Sequence, residues 1–187
     1  WKYTVEDAAV LGQEYVISPW LDASLRNNYD ELLAFLDVFN KSGELCKKSG
    51  LKYGYHNHDF EFNVSLNNQQ LYDIILEHTD PNLVAQQLDI GNMINGGGNA
   101  TEILNKYPGR FELLHVKDEI KSATESAAHV YESTILGKGV INTKQVTDLA
   151  FKIGGTKHFI IEQESYQGKT PIECVEEDLK IMKNWGY

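Results

Sequence analysis

Cysteine is almost absent from this 187-residue chain: Cys46 and Cys174 stand alone, each inside a stretch with helical periodicity. Two isolated thiols without metal-type spacing exclude a disulfide framework and a cysteine-built zinc site. Long hydrophobic runs are missing too, and none approaches the roughly 18–20 residues that cross a bilayer as a helix. No membrane partner is expected. Basic residues are scarce, 17 against 27 acidic ones, for a formal charge of −10. Binding a phosphate backbone needs clustered lysine and arginine, so a nucleic-acid partner is not expected either. A small anionic substrate remains compatible with that balance. There is no nucleophile elbow and no catalytic-cysteine pattern. Gly91 with Gly96, Gly97 and Gly98 lacks the spacing and the later acidic residue of a dinucleotide fingerprint, and reads as a loop.

What the chain does have is a regular alternation of short apolar runs and helical patterns. Trp1 to Leu11 reads as a helix stopped by Gly12, and Glu14 to Pro19 as a short buried strand. Asn28, with Glu31 three residues on, caps a helix whose apolar face is Leu32, Phe35, Leu36, Phe39 and Cys46. A strand from Leu51 leads into Tyr55-His56-Asn57-His58-Asp59-Phe60-Glu61-Phe62, and a helix marked by Leu71, Ile74 and Ile75 stops near Asp80-Pro81. Leu83 to Asp89 and Phe111 to Asp118 read as strands, with an Asn99-capped helix between them. The polar segment from Glu119 to Val140 reads as one long connection, ending in Gly137-Lys138-Gly139, which is either a plain turn or a contact for phosphate or hydroxyls. A helix from Thr143 to Ile153, a strand from His158 to Glu164 and a last helix opened by Thr170, Pro171 and Glu173 complete the chain. Ile172, Val175, Leu179 and Met182 are the expected inner stripe of that last helix. Alternating strands and helices of this kind belong to parallel α/β proteins, and nothing divides residues 1–187 into more than a single domain.

Four successive strands end on ionisable side chains: His56, Asp89, His115 and Glu162. In a parallel α/β barrel the strand ends converge on one face. The four side chains are then expected around one divalent ion, since mixed imidazole and carboxylate ligands suit Mn²⁺, Zn²⁺, Co²⁺ or Fe²⁺ and carboxylates also accept Mg²⁺. Taken singly, each has a structural reading: Asp89 as a cap, His115 as a core histidine, Glu162 as a partner of Lys117. Period-2 geometry adds His58 to the face of His56. An open coordination position on such an ion would polarise a substrate carbonyl.

Tyr-His-Asn-His-Asp-Phe-Glu-Phe, Gln-Leu-Asp89-Ile, Leu-Leu-His115-Val-Lys117-Asp118, Gly-Lys-Gly-Val-Ile and Ile-Ile-Glu162-Gln-Glu together resemble the xylose-isomerase-like TIM-barrel superfamily. Within it they are most similar to the sugar phosphate isomerase/epimerase group, related to inosose dehydratases and ketose 3-epimerases. The resemblance implies the C-terminal part, about five βα units, of a (βα)8 TIM barrel, with three further units, roughly 90 residues at barrel repeat lengths, expected before Trp1. It implies one divalent ion, Mn²⁺ in first place, held by Asp89, His115 and Glu162. His56 stands where many relatives have glutamate, and either His56 or Glu61 completes the set. Glu162 is the expected base, His58, Glu61 and Lys117 share the remaining acid/base work, and His58, Lys117 and Asp118 bind substrate. The implied activity is isomerisation or epimerisation of a sugar, sugar phosphate or polyol, with dehydration of a keto-polyol or an inactive sugar-binding barrel as the alternatives. Self-association into a homo-oligomer is compatible with it.

Overall fold

The computed structural model describes residues 1–126 and 129–187, and its contacts group them into two compact units, Trp1–Gln87 and Leu88–Tyr187. The boundary falls inside a strand.

The first unit opens with helix α1 (Lys2–Val10) and strand β1 (Tyr15–Ser18), which is half-buried along its length. A 3₁₀ turn, Ala23–Arg26, is capped by Asp22, and α2 (Tyr29–Lys48) follows. Asn28 caps α2 by accepting from the N–H groups of Asp30 and Glu31, which satisfies donors that a helix start leaves without partners. Strand β2 (Lys52–His56) pairs in parallel with β1, Ile17 opposite Gly54. Three short elements come next: α3 (Phe60–Asn63), then β3 (Ser65–Leu66) and β4 (Gln69–Gln70), an antiparallel pair. Asn67 and Asn68 join that pair with φ of 52° and 62°, the left-handed conformation that two-residue hairpin turns require and asparagine tolerates. Helix α4 (Leu71–His78) leads to β5 (Val84–Asp89), which pairs in parallel with β2, His56 opposite Gln87. The core here is Leu32, Leu36 and Phe39 of α2 against Tyr53 and Tyr55 of β2, with Phe39 lying 5.4 and 5.2 Å from the two tyrosine rings. Burying such side chains is the main favourable term in folding, about 1.5–3 kcal/mol each.

In the second unit, α5 (Ile90–Asn95) and α6 (Ala100–Lys106) precede β6 (Leu113–Val116). Gly91 therefore lies in the first turn of α5, not in a loop. The expected connection from Glu119 to Val140 is instead largely an antiparallel hairpin, β7 (Asp118–Ser126) and β8 (His129–Thr134), whose tip lies outside the described residues. The hairpin is held by ladder hydrogen bonds, which need no apolar stripe, so a hydrophobic-pattern reading passes over it. Helix α7 (Thr143–Leu149) widens into a π turn (Ala150–Gly154), and β9 (His158–Ile161) pairs in parallel with β6. Strand β9 stops before Glu162.

Helix α8 (Pro171–Trp185) carries the expected capping box between Thr170 and Glu173. Its inner face differs from the expected stripe. Cys174, Asp178 and Met182 are buried, whereas Ile172, Val175 and Leu179 are 66%, 39% and 44% exposed. A polar requirement set this rotation: Asp178 Oδ1 accepts the buried N–H of Leu136 at 2.9 Å, and an unmatched buried donor costs about 1–3 kcal/mol.

Candidate functional site

Each functional side chain of the second unit projects from the end of a parallel strand or from just beyond it. Asp89 ends β5 and divides its work between two oxygens. Oδ1 caps α5 by accepting from Asn92 N–H at 2.8 Å, while Oδ2 lies 3.3 Å from His115 Nδ1. His115 comes from β6, and its Nδ1 lies 2.7 Å from Oε2 of Glu162, the first residue after β9. Atoms bound to one ion at about 2.0–2.2 Å stand roughly 3.0–3.4 Å apart. The imidazole nitrogen stands 3.3 and 2.7 Å from the two carboxylate oxygens, near that spacing, and the chemistry of the set fits a divalent ion of the first transition row.

Lys117 Nζ lies among the same groups, 3.1 Å from Asp89 Oδ2, 2.8 Å from Glu162 Oε2 and 2.7 Å from Glu164 Oε2. Its side chain is only 2% exposed. The charges reinforce one another. Burial works against protonation of His115, but its hydrogen bonds to Asp89 and Glu162 outweigh this and raise its pKa to about 9. Burial likewise disfavours the Lys117 ammonium, and the carboxylates around it more than offset that and raise its pKa. The hydrogen bond from His115, followed by those of Lys117, holds Glu162 well below the usual carboxylate range. Glu162 is also 35% exposed, against 0% for Asp89, so it is the carboxylate of this pair that an incoming molecule can touch.

Asp118 has a different task from the substrate contact expected of it. Its side chain turns away from Lys117 and accepts from the N–H groups of Glu119, Gly137, Gly139 and Ile141, at 2.9, 2.8, 2.9 and 3.1 Å. The Gly137-Lys138-Gly139 segment is a turn wrapped on this buried carboxylate. A side chain at Gly139 would run into Asp118 and the carbonyl of Glu119, so only glycine lets the turn close.

In the first unit, β2 ends at His56, and His58 falls beyond the strand, so strand periodicity does not extend to it. The two rings are neighbours all the same, 5.0 Å apart and nearly perpendicular. His58 also meets Trp20 edge-on at 4.8 Å and stacks on Phe60 at 5.8 Å. Trp20 is half-exposed, and the Arg26 guanidinium lies over both Trp20 and Phe60, at 4.5 and 3.3 Å. Glu61 is fully buried and holds the histidine turn from below. One oxygen accepts the Tyr55 hydroxyl and the other the His58 N–H at 2.8 Å. Burial, opposed by the Tyr55 hydrogen bond, pushes the Glu61 carboxyl up to about 7.

Trp20, Glu119 and Glu164 were not among the expected site residues. Pro19-Trp20 directly after a strand is a signal for the first. For Glu119, continued alternation from His115 through Lys117 is the signal, and its carboxyl is pushed up to about 7 by burial, against the pull of Lys117.

Parallel βα units with an imidazole–carboxylate set at the strand ends define the class of α/β barrel proteins whose sites lie at the C-terminal ends of the strands. The family model described as xylose isomerase-like TIM barrel matches residues 1–185, and the chain belongs to that family. An inosose dehydratase of Clostridium botulinum is 32% identical over 180 residues, covering 91% of this chain and 55% of its own length. One of Clostridium perfringens is 27% identical over 172 residues, with 91% and 56% covered. A crystal structure of a sugar phosphate isomerase/epimerase from Parabacteroides distasonis superposes with a TM-score of 0.82 at 28% identity, covering 98% of this chain and 62% of that one. The chain thus spans about half the length of the curated relatives it matches.

Proposed function

We propose that this chain carries the site of a divalent-metal-dependent isomerase or epimerase of a sugar, sugar phosphate or polyol. The observation that supports the reading is the approach of Asp89 Oδ2 and Glu162 Oε2 to His115 Nδ1, at 3.3 and 2.7 Å. These three residues would hold the ion, Mn²⁺ in first place, and His56 is assigned as the fourth ligand from its place in the sequence. When bound, a divalent ion polarises a carbonyl and so acidifies the neighbouring C–H.

Glu162 is the base in this reading, because it is ionised and partly open to solvent. It takes the proton from the carbon beside the carbonyl, and the electron pair passes to the carbonyl oxygen in an enediolate-like state. Lys117, beside Glu162, donates a hydrogen bond to the oxygen that gains charge. Return of a proton to the other carbon gives the isomer, and return to the opposite face of the same carbon gives the epimer. His58 or Glu61 serves as the second proton-transfer group.

The names of the curated relatives favour a second reading, dehydration of a keto-polyol. It starts with the same proton abstraction and ends with loss of hydroxide from the next carbon. Reaction in deuterium oxide tests both. Deuterium at the carbon next to the carbonyl supports proton abstraction, a product of unchanged mass apart from the label indicates isomerisation, and a product lighter by one water indicates dehydration. Absence of exchange from every sugar and inosose tried, with metal bound, would leave a binding protein.

A further inference from the structure

Lys117 holds the oxygens that a divalent ion would need. Its ammonium contacts Asp89 Oδ2 and Glu162 Oε2, the same two atoms that face His115 Nδ1. A doubly charged ion and an ammonium cannot share these oxygens at close range without strong repulsion, so the lysine has to yield when the ion enters.

Glu164 already contacts the ammonium at 2.7 Å, and a second carboxylate, Glu119, lies buried beside the same side chain. Glu119 is 3% exposed, and its Oε2 has no hydrogen-bond partner among the described residues. An unmatched buried carboxylate oxygen is costly. Lys117 lies between β6 and β7, and Glu119 is the second residue of β7. The two side chains meet over Gly91, where Glu119 Oε1 and Lys117 Cδ both fall within 2.7 Å of the point that a Cβ would occupy. From Cδ, rotation about the last two side-chain bonds is enough to carry the ammonium to the Glu119 carboxylate. Gly91 keeps that path clear, since any larger residue would push into both side chains.

We infer that Glu119 is the positioning residue for Lys117 in the metal-loaded site: it receives the ammonium that the ion displaces from Asp89 and Glu162. The inference rests on the metal reading above. It leaves Lys117 beside the site as a hydrogen-bond donor to substrate, held by a carboxylate that is not itself a ligand.

The test is calorimetric titration of Mn²⁺ into the metal-free full chain, as wild type, Glu119→Gln, Lys117→Met and the double variant, with circular dichroism to establish that each is folded. Glu119→Gln should weaken Mn²⁺ binding about tenfold when Lys117 is present and less than about threefold in the Lys117→Met background. Lys117→Met alone should tighten binding, because nothing has to be displaced. Equal losses in the two backgrounds would show that Glu119 acts only through its charge and would overturn the inference while leaving the metal site standing. Wild type that takes up no Mn²⁺ would overturn both. Should Glu119→Gln fail to fold, Gly91→Ala is the substitute: it removes neither charge but crowds both side chains where they meet, and it should weaken binding only while Lys117 is present.

Discussion

The two histidine-bearing regions solve the same problem, burying polar groups, in opposite ways. In the second unit, His115 lies among Asp89, Glu162 and Lys117, and each charge is matched by an opposite one. In the first unit, His58 sits against Trp20, Phe60 and the ring of His56, and the carboxylate that holds the turn, Glu61, is matched by a hydroxyl and an N–H. Opposite charges favour the ionised forms of His115 and Glu162, whereas burial, only partly offset by hydrogen bonds and by Arg26, raises the Glu61 carboxyl to about 7. One region concentrates opposite charges, and the other sets a buried carboxyl beneath an aromatic-packed turn.

The largest expected effect tests the first half of that contrast. Asp89→Ala combined with Glu162→Ala should weaken divalent-metal binding roughly a hundredfold or more, beyond what loss of a supporting partner costs, as measured by titration. Unchanged affinity would remove the charged region from the metal reading. In the wild type, affinity should fall about tenfold for each pH unit below about 9, because the ion must displace the proton that His115 holds there.

Next in size is the pH dependence of stability contributed by Glu61. Its carboxyl is raised from 4.5 to about 7 in the folded chain, so between those values the fold keeps a proton that the unfolded chain has lost. The stability it contributes is fully present below pH 4.5 and disappears as pH rises through 7, a change of about 3 kcal/mol at most. Denaturant melts of metal-free Glu61→Gln should show a flatter profile over that range. A profile identical to wild type would mean that Glu61 is ionised throughout, as in the charged region.

His56→Ala and Glu61→Ala sharpen the comparison within the first unit. His56→Ala should weaken metal binding about tenfold, the low end of what metal-site mutations cost. Glu61→Ala should leave the affinity near wild type and lower turnover in the deuterium-exchange assay. The reverse outcome would exchange the two roles. The smallest effect expected is that of Tyr55→Phe, about 1 kcal/mol of stability for one hydrogen bond to a group that keeps its other partner, read from the same melts.

The candidate residues could be proposed from the chain because βα proteins place their chemistry at strand ends, and a strand end is visible as an apolar run that stops on a charge. Asp89 ends β5, His115 stands one residue before the end of β6, and Glu162 is the first residue after β9. The hairpin after β6 could not be read in the same way, because Asp118–Ser126 and His129–Thr134 are polar strands held by their backbones. Glu119 was concealed with it: inside an expected loop, its alternation with Lys117 had no meaning. The rotation of α8 was equally hidden, since two rows of that helix are apolar enough to face inward.

Sequence by itself therefore determined the α/β class, the caps on Asn28, Asn99 and Thr170, and the residues available as ligands, because periodicity, capping and ligand chemistry are local properties. Tertiary structure alone decided which charges meet. Only folding brings Lys117 onto Asp89 and Glu162, wraps the Gly137–Ile141 turn on Asp118 and spends Asp178 on the N–H of Leu136. These pairings follow from desolvation: once a polar group is buried, the partner within reach, however distant in the chain, sets its charge and its task.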